Sequence, residues 1–242
     1  MASVPKSASI SQRIAQLDWP QIHQALEADG FATIPPVLSS QECVDLCAMY
    51  ERRELFRSRI DMTRFRFGEG EYKYFAAPLP SIVAELRWSL YPRVVPLANL
   101  WSKPLRMGIS FPNGLDDFLE RCHRVGQTKP TPLLLRYEAG GYNCMHQDLY
   151  GDLAFPLQFA FMLSRYGEDY KGGEFLLLEQ RPRAQSKCEA ICLEQGAGIV
   201  FTTRYRPVKG HRGTYRVNVR HGISRVHQGR RFALGIIFHD AR

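Results

Sequence analysis

In the stretch Tyr142-Asn143-Cys144-Met145-His146-Gln147-Asp148 an imidazole and a carboxylate stand two positions apart, and a second imidazole, His221, and a cation, Arg231, follow later in the chain. Side chains two apart on an extended strand project from the same face. His146 and Asp148 would therefore offer two ligand atoms together, and His221 from a second strand would complete two His and one carboxylate on a single ion. Three positions of an octahedron are then filled and three left open, which suits Fe(II) that must also bind O2 and a co-substrate. A lone H-x-D is common, so its setting decides.

The elements around these residues read as strands. Pro132-Leu-Leu-Leu-Arg-Tyr137 is an apolar run ending in the double-glycine turn Gly140-Gly141, and a second strand then carries the H-x-D. Tyr215-Arg-Val217-Asn-Val219-Arg-His221 alternates with period two, placing His221 on the face of Val217 and Val219. After the turn at Gln228-Gly229-Arg230, the run from Arg231 to Phe238 alternates again, and Arg231 shares its face with Ala233 and Gly235. Those small residues leave space beside the guanidinium. A cation facing the inside of a barrel needs an anionic partner, because a buried unpaired charge is very costly. A dicarboxylate gripped by a two-pronged guanidinium would supply one.

These residues resemble the Fe(II)/2-oxoglutarate-dependent oxygenase superfamily, whose pattern is H-x-D, a distal His, and an Arg or Lys about ten residues later. The string His221-Gly-Ile-Ser-Arg-Val-His-Gln-Gly229-Arg-Arg231 is similar to the H-x-V-x-P-V-x-x-G-x-R stretch of prolyl-hydroxylase-like members, with Arg225 where Pro is usual. Tyr137 and Gly172-Gly173-Glu174 match that group as well. From about Trp19 onward the chain resembles a bacterial family of such oxygenases described as acting on damaged, alkylated nucleic acid. Arg121-Cys-His-Arg-Val-Gly-Gln, Tyr142-Asn-Cys-Met-His-Gln-Asp-Leu-Tyr-Gly151 and Leu234-Gly-Ile-Ile-Phe-His-Asp240 carry that likeness. The resemblance implies Fe(II) on His146, Asp148 and His221, 2-oxoglutarate paired with Arg231, and O2 in the remaining site. It also places Tyr137 near the co-substrate. Demethylases of alkylated nucleic acid in that superfamily carry a second Arg six residues after the first, where this chain has Ile237. That departure bears on the substrate and leaves the co-substrate assignment intact.

The 242 residues, 45% of them hydrophobic, can bury one substantial core. The expectation is a mainly β chain with N-terminal helices (α+β), built on a double-stranded β-helix or jelly roll. Residues 1–18 read as a flexible tail, 19–129 as a helical elaboration and 130–242 as the jelly-roll core, together one domain from 19 to 242. No apolar run approaches the roughly 20 residues of a membrane span, and the N-terminus lacks a long apolar stretch, so a cytoplasmic protein is expected. Six Cys without paired CxxC spacing read as buried free thiols.

The formal charge of +8 is unevenly placed. No acidic residue lies between Glu194 and Asp240, while Arg204, Arg206, Lys209, Arg212, Arg216, Arg220, Arg225, Arg230 and Arg231 fall in that span. The run is either a solvated face of alternating strands or a positive rim that attracts phosphates. Residues 57–75 are rich in Arg and aromatics, as a base-stacking surface is, although a hairpin packed over the barrel is the simpler expectation.

Elsewhere a helix over 19–29 ends at Gly30, Phe31 to Pro35 is a short strand, and Ser39 caps a helix running to about Phe56. Ser81 to Leu90 reads as a helix broken by Pro92 and Pro96, and Leu115 to Val125 as another. Along Phe155 to Leu163 a Phe155/Leu157/Phe159/Phe161 stripe reads as core. Gln158 on the opposite face is an exposed residue or a donor to a 2-oxoglutarate oxygen. Tyr137 and Asn143 admit structural and co-substrate roles alike. His211, ten positions before His221, competes as distal ligand but sits in the turn-like Lys209-Gly-His-Arg-Gly213. The expected activity is C–H hydroxylation, with alkylated DNA or RNA as favoured substrate and a peptide (prolyl-type) or small molecule as alternative.

Overall fold

The computed structural model of the chain describes residues 8–211 and 213–242. Among the described residues six α-helices and fourteen strands follow one another. The first half holds α1 (Ile10–Ala15), α2 (Trp19–Asp29), β1 (Phe31–Ile34), α3 (Ser40–Met49), β2 (Phe56–Asp61), α4 (Met62–Phe65), β3 (Gly68–Glu69), β4 (Glu71–Phe75), α5 (Ser81–Leu105) and α6 (Leu115–Arg124). The second half is all strand: β5 (Leu133–Glu138), β6 (Tyr142–His146), β7 (Leu157–Met162), β8 (Tyr170–Gly172), β9 (Phe175–Gln180), β10 (Lys187–Ile191), β11 (Gly198–Thr202), β12 (Tyr205–Gly210), β13 (Gly213–Ile223) and β14 (Val226–Ile236).

Two antiparallel sheets face each other as a jelly roll. The larger runs β1-β11-β7-β14-β5-β4-β2, with β8 also on β14, and the smaller runs β10-β9-β13-β6-β3, with β12 also on β13. Alternation along each strand gives each sheet two chemically distinct faces. Leu157, Phe159 and Phe161 of β7 point outward and pack with Tyr91 and Leu90 of α5 and Phe118 of α6 in the main core. The other faces meet inside the barrel, where Met162, Phe175, Phe201, Val217 and Val219 form a second cluster. The Phe155-to-Phe161 stripe is core packing, as its pattern implies.

Several expectations change. The stretch read as a flexible N-terminal tail contains a helix. A Ser9/Gln12 capping box starts α1, and Ile10 and Ile14 are buried, because α1 lies on α5. Residues 1–7 lie outside the described residues. The helical elaboration also contributes strands: β1, β2 and β4 extend the large sheet and β3 the small one. Finally, α5 runs through Pro92 and Pro96 to Leu105. Each interior Pro costs about 3 kcal/mol, but the helix buries Leu86, Leu90, Val94, Ala98 and Trp101. Burying a large apolar side chain returns about 1.5–3 kcal/mol apiece, so packing outweighs the breaks. The cysteines are free, but Cys144, Cys188 and Cys192 are exposed and only Cys43 and Cys122 are fully buried.

Candidate active site

Strands β6 and β13 pair so that His146 and His221 are direct neighbours across the ladder. Their ring centroids lie 4.2 Å apart. An irregularity between His221 and Ile223 shifts the register immediately beyond this pair, a device that re-aims side chains beside functional sites. Asp148 lies just past the end of β6, yet its carboxylate returns to the same side. Its Oδ1 is 3.5 Å from His146 Nε2 and its Oδ2 3.2 Å from His221 Nε2. Ligand atoms of the three residues lie within 4.8 Å of one another. His211 is instead exposed in the turn after β12.

The donor set suits a divalent cation. The Cys144 carbonyl, 2.7 Å from His146 Nδ1, can only accept, so Nδ1 carries a proton and Nε2 is the atom that would meet the ion. Burial works against the Asp148 charge, but the neighbouring imidazoles and their hydrogen bonds hold its pKa well below the ordinary carboxylate range. Burial, with the His146 ring beside it, pushes the His221 pKa down. Burial works against a charge on His146 too, but Asp148 and the Cys144 carbonyl raise its pKa. An ionised carboxylate thus faces a His221 imidazole held neutral, and an incoming cation would displace the proton from His146 Nε2.

Two further groups fix the carboxylate. Tyr150 donates its hydroxyl to Asp148 Oδ1 at 2.6 Å, and Gln158 donates Nε2 to Oδ2 at 2.9 Å. Gln158 is buried, which removes the exposed-face reading, and in this structure its amide engages Asp148. Sequence reasoning passed over Tyr150. Its signal was available, since Tyr150 continues the spacing of two that joins His146 to Asp148. Burial and the Asp148 charge raise the Tyr150 pKa well above that of a free phenol, so it stays a donor.

Above these residues is a cavity of about 370 Å³ lined by Tyr137, Asn143, Arg231, Ala233 and Gly235 together with the His–Asp–His cluster. Asn143 Nδ2 donates to the Tyr137 hydroxyl at 3.4 Å. Arg231, only 2% exposed, lies over the rings of Tyr137 and Tyr170 at 5.6 and 5.9 Å. Its Nε and Nη1 have no hydrogen-bond partner, and among the described residues no carboxylate forms an ion pair with it. Gly173 gives it room: a Cβ there would sit 2.9 Å from Arg231 Cδ, and φ is +67°. A buried guanidinium with unmet donors fits a ligand that brings its own anion. Ile237 contributes an apolar wall to the same cavity.

The cavity opens beside Arg66 and Phe67. Phe65 and Phe67 are 54% and 47% exposed, and their rings stack at 5.5 Å with a 20° tilt. Arg66 between them has φ 60°, a left-handed conformation that non-glycine residues seldom hold. Phe67 O accepts from Cys144 N, tying this corner to the strand that bears His146. Other arginines of residues 57–75 are structural: Arg57 donates to Pro130 O, and Arg59 pairs with Glu71.

The basic run also divides. Arg206 is buried and paired with Glu179, and Arg230 pairs with Glu138, so neither belongs to a free positive rim. Arg225 donates to Gly140 O over the Tyr142 ring. Arg204, Lys209, Arg216 and Arg220 are exposed, and Arg212 lies outside the described residues.

Comparison with known proteins agrees with this geometry. A family model described as an oxygenase "catalysing oxidative methylation of damaged DNA" matches residues 70–241. Two uncharacterized proteins of Mycobacterium tuberculosis are each 50% identical over 167 residues, 69% of this chain and 72% of theirs. In structure the chain is similar to a Pseudomonas putida prolyl-4-hydroxylase (TM-score 0.57, 12% identity, 93% of this chain and 99% of that one). It is also similar to a Trichoplax adhaerens prolyl hydroxylase in complex with a hypoxia inducible factor peptide fragment (TM-score 0.55, 15% identity, 98% and 94%). A third likeness is SnoN, a non-heme alpha ketoglutarate dependent epimerase from nogalamycin biosynthesis (TM-score 0.54, 14% identity, 90% and 80%).

Proposed function

The chain belongs to this oxygenase family, within the Fe(II)/2-oxoglutarate-dependent superfamily that uses O2, and from that premise we propose that it hydroxylates a C–H bond of alkylated nucleic acid. Oxidative demethylation is the outcome: a hydroxylated N-methyl group collapses to N–H and formaldehyde. Fe(II) held in the site, with 2-oxoglutarate and O2, would supply the two-electron oxidation of the C–H bond.

The chain's own residues hold and orient. His146, Asp148 and His221 would be the protein ligands, with Tyr150 and Gln158 fixing the carboxylate through the bonds described above. Arg231 would pair with the distal carboxylate of 2-oxoglutarate, with the Tyr137 hydroxyl and the Asn143 amide beside it. The apolar wall of Leu133, Leu135 and Ile237 keeps water from the reacting centre.

One observation carries the substrate reading: the stacked, exposed Phe65–Phe67 pair, with Arg66 between them, beside the cavity. Aromatic faces beside guanidinium groups are the chemistry by which single-stranded bases are held. The net charge of +8 supports it. The alternative, peptide prolyl-type or small-molecule hydroxylation, draws on the prolyl-hydroxylase-like string from His221 to Arg231. Succinate formation with Fe(II), 2-oxoglutarate and O2 across N-methylated oligonucleotides and proline-bearing peptides separates the two. Release of formaldehyde with the oligonucleotides alone is expected. Turnover of the peptides alone would overturn the nucleic-acid reading.

A further inference from the structure

A second cavity, of about 300 Å³, lies behind the segment that follows Asp148. Leu149, Asp152 and Leu153 of that segment line it, and Arg106, Arg204 and Arg216 reach it from three separate elements. Two of these arginines are arranged around one ring: the guanidinium carbons of Arg204 and Arg216 lie 4.4 and 4.3 Å from the centroid of Tyr205. Their charges are therefore within roughly 9 Å of each other. Stacking on an aromatic face fixes the plane of a guanidinium and leaves its N–H edge for an oxyanion. Among the described residues none of the three arginines has an ion-pair partner, and the acid lining the cavity, Asp152, is taken by Arg242. Arg106 carries a left-handed backbone, φ 54°, at the end of α5.

A short path joins the cradle to the catalytic cavity. Gln147, between His146 and Asp148 in sequence, lines the catalytic cavity. Its Nε2 donates at 2.7 Å to Asn218 Oδ1 and at 2.7 Å to Val219 O. Asn218 is the cross-strand partner of Tyr205. The path from the His–Asp–His cluster to the stacked arginines is thus Gln147, Asn218, Tyr205. We infer that the Arg204–Tyr205–Arg216 stack, with Arg106 across the cavity, is a phosphate subsite that grips the backbone of the substrate strand while the target base occupies the catalytic cavity. The inference rests on the nucleic-acid reading and deepens it, by separating arginines that meet phosphate from those, such as Arg206, that only hold the fold.

The test measures polarisation of a labelled single-stranded oligonucleotide bearing one N-methylated base across a salt series, with succinate followed in parallel. The proteins compared are the wild type, Arg204→Ala/Arg216→Ala, Arg106→Glu, and the charge-matched control Arg93→Ala/Arg183→Ala. All substituted side chains are exposed, and thermal unfolding checks that each variant is folded. Affinity at low salt should fall at least about tenfold in the double variant, and the slope of log K against log salt should flatten by about 1.4, the release from two phosphates of a single strand. Arg106→Glu should weaken binding in the same direction, and the control should bind as the wild type does. Wild-type affinity and slope in the double variant would overturn the subsite, as would an equal loss in the control, which would reduce it to bulk charge. Binding of inorganic phosphate but of no oligonucleotide by the wild type would also overturn it, in favour of a free anion, and binding of neither would remove any phosphate site. Oligonucleotide binding that depends on these arginines without succinate formation would support the subsite and sink the demethylase reading instead.

Discussion

Arg87 and Arg231 are both buried to 2% exposure or less, and their surroundings could hardly differ more. Arg87, on α5 behind the large sheet, donates to the carbonyls of Ile237 and Phe238 and pairs with Asp240 Oδ1 at 2.8 Å. Arg231, on β14 inside the barrel, meets two aromatic faces and leaves Nε and Nη1 without partners. The first arrangement is closed: every charge that enters the core brings its counter-charge. The second is open, and the missing anion has to arrive with a ligand. Burial alone separates neither arginine from the other; the hydrogen-bond inventory does.

The largest effect should come from the open region's metal cluster. His146→Ala, Asp148→Ala or His221→Ala should each abolish Fe(II)-dependent succinate formation, since three protein ligands are the fewest that hold the ion and leave room for co-substrate and O2. Substantial turnover by the His221 variant, with His211→Ala inactive, would move the distal ligand to the exposed turn.

The two arginines should then respond in opposite ways. Arg87→Ala leaves the buried Asp240 carboxylate with only the His123 ring beside it and should cost up to about 3–5 kcal/mol of stability in denaturant unfolding. Arg231→Ala should leave the ligand-free fold as stable or more so, while weakening 2-oxoglutarate by about two to four decades. Equal destabilisation by both would erase the distinction between them.

A smaller effect sharpens the closed side. His239 is fully buried near Arg87, and its Nδ1 accepts from Phe155 N. Burial, and then the Arg87 charge, push its pKa down to about 4. The unfolded chain therefore binds one more proton than the fold between about pH 6.5 and 4. Stability should fall as the pH drops through that window, by up to roughly 3 kcal/mol, and this contribution should level off below it. His239→Gln should lose that limb of the unfolding profile; an unchanged limb would assign it to another group.

The smallest effect belongs to the supporting bonds of the open side. Tyr150→Phe removes one of two donors to Asp148 and should weaken Fe(II) binding about 10–100-fold without unfolding the chain. An unchanged metal affinity would leave Tyr150 as a packing residue.

Much of this was legible before the fold. Alternation along Tyr215 to His221 and Arg231 to Phe238 sets the inward faces, so His221, Arg231, Ala233 and Gly235 fall where period two puts them. What was not legible depends on contacts across distant elements. Helix α5 continues through Pro92 and Pro96 because its buried face outweighs local propensity. The basic run from Arg204 to Arg231 looks uniform in sequence, yet Arg206 is paired because Glu179 arrives from β9. Gln158 turned to Asp148 because β7 brings it beside the end of β6. Charge in a sequence is visible; its partner is not.

The central claim, that Arg231 awaits the distal carboxylate of 2-oxoglutarate, is tested most directly by a binding cycle on the Fe(II)-loaded protein without O2. Calorimetric titration would compare 2-oxoglutarate with 2-oxopentanoate, which has a methyl group in place of that carboxylate, in the wild type and in Arg231→Ala. The wild type should prefer 2-oxoglutarate by about two to four decades, and Arg231→Ala should bind the two acids alike. A wild type indifferent to the distal carboxylate, or an Arg231→Ala protein that keeps the full preference, would contradict the account.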